Sequence, residues 1–171
     1  MLKRLILICG ANGVGKSTAC KEVMNSLEKS AYIDSDWCRV INSFEFTEEM
    51  INVVKVNIVA LMVNYFQCNA IENIIFSYGF HGPRKQIFDD ILVELDKHKI
   101  LYGFCPIILQ CELDENIKRM KKDGRDAARI ERAINNTRTI YDNYDYPKIN
   151  TTKLSVNETA KGIINVISTL Y

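Results

Sequence analysis

Hydrophobic and polar positions change their period repeatedly along this chain, and each change marks a new element. Leu5-Ile6-Leu7-Ile8-Cys9 is a continuous apolar run, the pattern of a strand buried on both faces. It stops at a glycine-rich stretch, after which Ala19, Val23, Met24 and Leu27 recur at helical spacing and form one apolar face. The alternation then repeats. Strands are expected at 3–9, 31–34, 72–78, 104–111 and 148–151, and helices at 15–28, 48–67, 84–98, 114–122, 126–144 and 156–170. Several helix starts carry their own signal: Thr47 before Glu48 and Glu49, Asp114 before Glu115, and Ser155-Val156-Asn157-Glu158 with capping-box spacing. Strands alternating with helices predict an α/β fold, a parallel sheet with helices on both faces.

Composition narrows this picture without redirecting it. A chain of 171 residues, 47% hydrophobic, suits one domain over 1–171 with a substantial core. Lysine and arginine number 22 and aspartate and glutamate 21, so the net charge of +1 gives no reason to expect nucleic acid as a partner. The six cysteines include no C-x-x-C pair, and a disulfide framework is not expected. Cys9, Cys20, Cys105 and Cys111 fall in apolar patterns and read as small buried hydrophobes. With the first strand beginning almost at once, no signal peptide is expected, and the apolar runs are read as short of a membrane span. A soluble cytoplasmic protein is expected.

The glycine-rich stretch carries the chemistry. Gly10-Ala11-Asn12-Gly13-Val14-Gly15-Lys16-Ser17 reads G-x-x-x-x-G-K-[ST], the phosphate-binding loop, and it lies between a strand and a helix as that loop requires. Glycines let backbone N–H groups crowd around phosphate oxygens, and the helix N-terminus adds unpaired donors and a favourable dipole. Lys16 can reach the β- and γ-phosphates, the Ser17 hydroxyl can ligate Mg²⁺, and Thr18 completes the expected nucleotide-binding set.

A second constellation, Asp34-Ser35-Asp36-Trp37-Cys38-Arg39, follows the second strand. Ligands of open parallel sheets bind beyond the carboxyl ends of the strands, which sets these carboxylates beside the phosphate loop. Asp36 is assigned to accept or orient the proton of an acceptor hydroxyl, Asp34 to the Mg²⁺ shell, and Arg39 to clamp the acceptor. Taken alone the segment also suits an acidic, helix-capping turn. A third group is basic: Lys118, Arg119, Lys121, Lys122, Arg125, Arg129, Arg132 and Arg138. A lid over roughly 119–132 is expected, with Arg125, beside Gly124, closing on the transferring phosphoryl group. Arg119 is expected to stack on adenine or touch a phosphate; Arg129 and Arg132 could reach nucleotide or acceptor, and all three also suit a solvated face. The stretch Phe76-Ser77-Tyr78-Gly79-Phe80-His81-Gly82-Pro83-Arg84 should face the acceptor, with Arg84 as a contact and His81 as a polar loop residue. Tyr65, Phe66, Tyr78 and Phe80 fit packing better than an aromatic acceptor.

The loop, the Asp34-x-Asp36-x-x-Arg39 spacing and Gly124-Arg125-Asp126 together resemble the small P-loop kinases of the nucleoside-monophosphate-kinase-like group. That group includes shikimate, gluconate and adenylylsulfate kinases, chloramphenicol phosphotransferase and the polynucleotide kinase domain. The D-x-D-x-x-R spacing is similar to adenylylsulfate kinase in particular, and residues 149–167 resemble the group's final strand, loop and helix, which lies near the adenine. The resemblance implies a three-layer fold with strands in the order 2-3-1-4-5, a small helical lid, and ATP·Mg²⁺ as phosphoryl donor. Ser35 stands where several relatives carry glycine, and Asp36-Trp37-Cys38 matches no known substrate signature of the group.

The expected function is transfer of the γ-phosphate of ATP to a hydroxyl or phosphate of a small-molecule acceptor, by a monomer or homodimer. A nucleotide or polynucleotide 5′-kinase and a non-catalytic ATP-binding module are the alternatives. Guanine specificity has no support, because Thr152-Lys153-Leu154-Ser155 lacks the aspartate of N-K-x-D.

Overall fold

In the computed structural model, which describes residues 2–170, strands β1 (Lys3–Gly10), β2 (Ser30–Asp34), β3 (Asn73–Ser77), β4 (Tyr102–Gln110) and β5 (Lys148–Asn150) form one sheet. All four pairings are parallel and the order is β2-β3-β1-β4-β5, as the resemblance implies. Helices α1 (Lys16–Ser26), α2 (Glu48–Gln67), α3 (Arg84–Lys97), α4 (Leu113–Lys122), α5 (Ala127–Thr137) and α6 (Val156–Leu170) make the crossovers and the outer layers.

The unbroken apolar run of β1 is explained by burial on both faces. Leu5, Leu7 and Cys9 point into the layer that holds Ile58 and Met62 of α2 and Phe88 and Ile91 of α3. Ile6 and Ile8 point the other way, into Cys20 and Val23 of α1 and Ile163 and Ile167 of α6. Alternation of period two along the strand thus builds three layers. Cys9, Cys20, Cys105 and Cys111 are buried as expected, and Cys38 joins them.

Pro106 stands inside β4, where a proline normally breaks a ladder. Here the even-numbered amides of β4 face β5, as the bond from Ile108 N to Pro147 O shows. The β5 ladder begins only at Ile108, so no partner awaits an N–H at Pro106.

Most element ends shift by no more than two residues, and two differences from expectation are larger. The helix expected to run to 144 stops at Thr137 and is followed by a short 3₁₀ turn, Thr139–Tyr141. Tertiary packing overrides the local pattern, because Tyr141 and Tyr144 must both reach Phe80, at ring separations of 5.7 and 5.3 Å. A three-residue 3₁₀ turn, Trp37–Arg39, also falls where no element was expected. Contrary to the reading of the apolar runs, α2 is long and apolar enough to cross a membrane, 20 residues with mean hydropathy 1.3. Its Ile58 and Met62 nonetheless lie fully buried on the sheet. Two of the three predicted caps form: Thr47 accepts from Met50 N, and Ser155 and Glu158 exchange bonds across the capping box, whereas Asp114 lies inside the first turn of α4, whose N-cap is Glu112 with no side-chain cap bond.

Candidate active site

Because every strand runs the same way, the loops after β1, β2 and β3 meet at one edge of the sheet. Residues 10–17 turn there through left-handed backbone at Gly13 (φ 80°) and Gly15 (φ 97°). Gly13 has a second constraint: a Cβ would come within 2.3 Å of Met120 Cγ. The loop therefore folds tightly against α4. Asn116, fully buried on α4, donates from Nδ2 to Asn12 O at 2.9 Å, and Asn12 N donates to Thr137 Oγ1 of α5 at 3.0 Å. Arg138 in turn donates to Asn116 Oδ1 at 3.2 Å.

Lys16 bends back over the loop and donates to Gly10 O and Ala11 O, both at 2.9 Å. Burial, reinforced by Arg84 and opposed by Cys9 and Asp36, lowers its ammonium pKa to about 8. Ser17 Oγ donates to Asp34 Oδ2 at 3.0 Å, and the Tyr32 hydroxyl donates to the same oxygen at 2.7 Å. Asp36 N donates to Asp34 Oδ1 at 2.9 Å. Asp34 is thereby buried and fixed at the end of β2, while Asp36 turns outward with 62% of its side chain exposed.

Two arginines converge on Asp36. Arg39 Nη2 lies 2.7 Å from Asp36 Oδ1, and Arg84 Nη2 lies 3.7 Å from the same oxygen. Arg84 is buried, donates to Ser35 Oγ at 2.8 Å, and stands over the Tyr78 ring at 4.8 Å. His81 sits close by; burial, with Arg84, Lys16 and Arg39 around it, lowers its pKa to about 4 and keeps it neutral at physiological pH.

These groups share one cleft of about 180 Å³, lined by Asn12, Gly13, Gly15, Lys16, Ser17, Thr18, Asp34, Asp36, His81, Arg84 and Arg125 among others. The structure thus brings together residues from four separate stretches singled out in the sequence. Arg125 follows Gly124, whose φ of 73° turns the chain between α4 and α5, and it enters the cleft beside Asp123. Arg39 lines an adjoining apolar notch with Phe44, Phe46, Tyr78 and Arg84. Arg119 does not line the cleft. It donates to Val14 O at 3.1 Å and to Thr151 Oγ1 and O at 2.9 and 2.8 Å, and it borders a recess on the outer side of the loop. That recess, about 350 Å³, is walled by Ala19, Leu154, Val156 and Thr159. Arg129 and Arg132 stay on the exposed face of α5 and line neither space.

Sequence reasoning missed the braces Asn116 and Thr137. A signal existed for both. Asn116 and Met120 are the buried positions of α4, and Thr137 follows Ile130 and Ala133 on the buried face of α5. A polar side chain at a core-facing helical position needs a partner, and the phosphate loop supplies it.

A family model described as an AAA domain matches residues 6–142. The chain belongs to this family. Its fold is that of the small P-loop kinases. A gluconokinase from Sinorhizobium meliloti superposes with a TM-score of 0.66 at 10% identity, over 98% of this chain and 93% of that one. A tunicamycin resistance protein from Deinococcus radiodurans gives 0.65 at 12% identity, over 97% and 96%. An APS kinase from Mycobacterium tuberculosis, solved with AMPPNP and APS, gives 0.64 at 15% identity, over 98% of each chain. Comparison with curated protein sequences gave no match.

Proposed function

We propose that this chain is an ATP-dependent kinase that moves the γ-phosphoryl group of ATP to a hydroxyl or phosphate of a small-molecule acceptor. The observation that carries this reading is the single cleft in which Lys16 and Ser17 of the phosphate loop face Asp36, Arg84 and Arg125. A module that only held nucleotide would need the loop and the outer recess. It would have no use for a carboxylate and two more cations opposite the γ-phosphate position.

In this reading residues 10–18 cradle the triphosphate through backbone N–H groups, and the outer recess takes the adenine between Ala19, Leu154 and Val156 with Arg119 at its edge. A solved neighbour that holds AMPPNP supports ATP as the donor. The Ser17 hydroxyl and Asp34 carboxylate are hard oxygen donors 3.0 Å apart at the mouth of the loop, a pairing that fits Mg²⁺. When bound, the ion neutralises charge on the phosphate oxygens. Lys16 swings from its loop carbonyls to the β- and γ-phosphates. Arg125, carried on a lid over residues 119–132, closes on the equatorial oxygens and excludes water. Asp36 orients the acceptor hydroxyl and takes its proton.

The test is ADP release with ATP·Mg²⁺ against nucleoside monophosphates, sugars and sugar acids, shikimate-like acids, aminoglycosides, chloramphenicol and 5′-hydroxyl oligonucleotides. Release that depends on one acceptor class supports the reading and names the class. Tight ATP binding with no turnover across the panel supports the binding module instead.

A further inference from the structure

One stripe of α4 runs along the phosphate loop, at positions 116, 119, 120 and 123. The loop uses the first three. Asn116 donates to Asn12 O, Arg119 donates to Val14 O, and Met120 packs against Gly13. Asp123, the C-cap of the helix, continues the stripe one turn on. Arg119 stands four residues before it, at the spacing of an ion pair, but its guanidinium turns to Glu115 at 2.9 Å and to Thr151 instead. Asp123 is exposed, and among the described residues no side chain or amide donates to its carboxylate.

The position of this free carboxylate is specific. The cleft and the outer recess have Gly13, Gly15, Thr18 and Asp123 in common, and only Asp123 comes from outside the loop and the first turn of α1. A triphosphate on the loop brings like charge towards it, and the C-terminal end of α4 adds to that repulsion. A carboxylate here needs a neutral hydrogen donor. A nucleotide with its base in the recess and its phosphates in the cleft sets its sugar at the junction, and the sugar carries hydroxyls. We infer that Asp123 reads the ribose of the nucleotide donor: its carboxylate accepts from the 2′- or 3′-hydroxyl, so the chain selects ribonucleotides over deoxyribonucleotides. This rests on the kinase reading above, and within it on the adenine lying in the outer recess.

Two opposed effects make the carboxylate selective. A hydroxyl that donates to it forms a charge-assisted bond, stronger than a neutral one although water competes at this exposed position. A nucleotide without that hydroxyl meets the repulsion of the carboxylate and gains nothing in return. Lys122 in the recess and Arg125 in the cleft offset part of the repulsion for every nucleotide alike, so they do not discriminate between sugars. Asp123 is on this account a specificity residue and takes no part in the transfer itself.

The experiment is calorimetric binding of ADP, 2′-deoxy-ADP and 3′-deoxy-ADP, with Mg²⁺, to the full chain as wild type, Asp123→Ala and Asp123→Asn. Thermal unfolding of each variant checks the fold. Wild type should bind ADP about tenfold more tightly than at least one deoxy analogue. Asp123→Ala should lose that preference through weaker ADP binding alone, and should hold the deoxy analogue as tightly as wild type or more so. Asp123→Asn keeps an acceptor oxygen and should retain part of the preference. A residue that only shapes the lid would shift all three nucleotides in parallel, and that result overturns the inference. So do equal affinities in wild type, or a preference that persists in Asp123→Ala. The kinase reading fails separately: ribose preference with no acceptor-dependent ADP release overturns that reading alone, whereas ADP that does not bind at all overturns both.

Discussion

Lys16 shows how burial tunes one side chain for a task. Its pKa of about 8 in the folded chain, against 10.5 for an ordinary lysine, means that the unfolded chain holds the proton to higher pH. Below about pH 8 the buried charge opposes folding in full, and this penalty fades as pH rises towards 10.5. A triphosphate beside the ammonium should restore the ordinary value, so ATP binding should take up a proton in that window. At pH 8.5 the uptake should be roughly 0.7 proton, read by calorimetry in buffers of different ionisation enthalpy. Lys16→Met should abolish the uptake and slow transfer by about 10²-fold or more. Zero uptake by the wild type would contradict the assignment. That Lys16, Ser17, Asp34 and Asp36 line one cleft was legible in the sequence, because lysine and serine follow glycines after the first strand and D-x-D follows the second. Asp36's double engagement by Arg39 and Arg84 was not legible. Arg84 lies 48 residues further on, and only the parallel pairing of β2 with β3 brings the two loops side by side.

At the scale of elements, the phosphate loop is a structure held from behind. Asn116 on α4 and Thr137 on α5 satisfy the carbonyl and amide of Asn12, so the two helices that flank Arg125 also set the loop's shape. Asn116→Ala removes a fully buried amide and strips a donor from Asn12 O and an acceptor from Arg138, both half-buried, and should cost about 1–3 kcal/mol in urea unfolding. It should also weaken ATP binding, while acceptor KM changes little. A stability within about 0.5 kcal/mol of wild type would show that the brace is dispensable. Gly13→Ala should be worse for nucleotide than for stability. Its Cβ collides with Met120 and Asn116 and shifts the loop N–H groups that face phosphate. Unchanged ATP affinity in that variant would argue against the cradle. Element types were readable from period and caps; the early end of α5 was not, because it follows from tyrosines that pack on Phe80, a contact between distant parts of the chain.

Over the whole molecule, the sheet order places β1 at the centre, with the phosphate loop at its carboxyl end and the cleft and the outer recess on either side of that loop. Ligand at that junction should stabilise the entire fold. ATP·Mg²⁺ at 100 times its Kd should add about 2.7 kcal/mol and raise Tm by roughly 5–10 °C, an effect that Lys16→Met should reduce sharply. Arg125→Ala should leave most of that shift, because the lid arginine acts on the transferring group, yet it should lower kcat by about 10²–10³-fold. An equal loss of binding and turnover would place Arg125 in ground-state binding instead. The most direct test follows label from [γ-³²P]ATP onto an acceptor in wild type and Asp36→Asn, with ATP affinity measured on the same samples. We expect label on the acceptor in wild type, loss of at least about 10²-fold in Asp36→Asn, and equal ATP affinity in both. Transfer that survives Asp36→Asn unchanged, or ATP bound tightly by wild type with no labelled acceptor, would contradict the proposed chemistry.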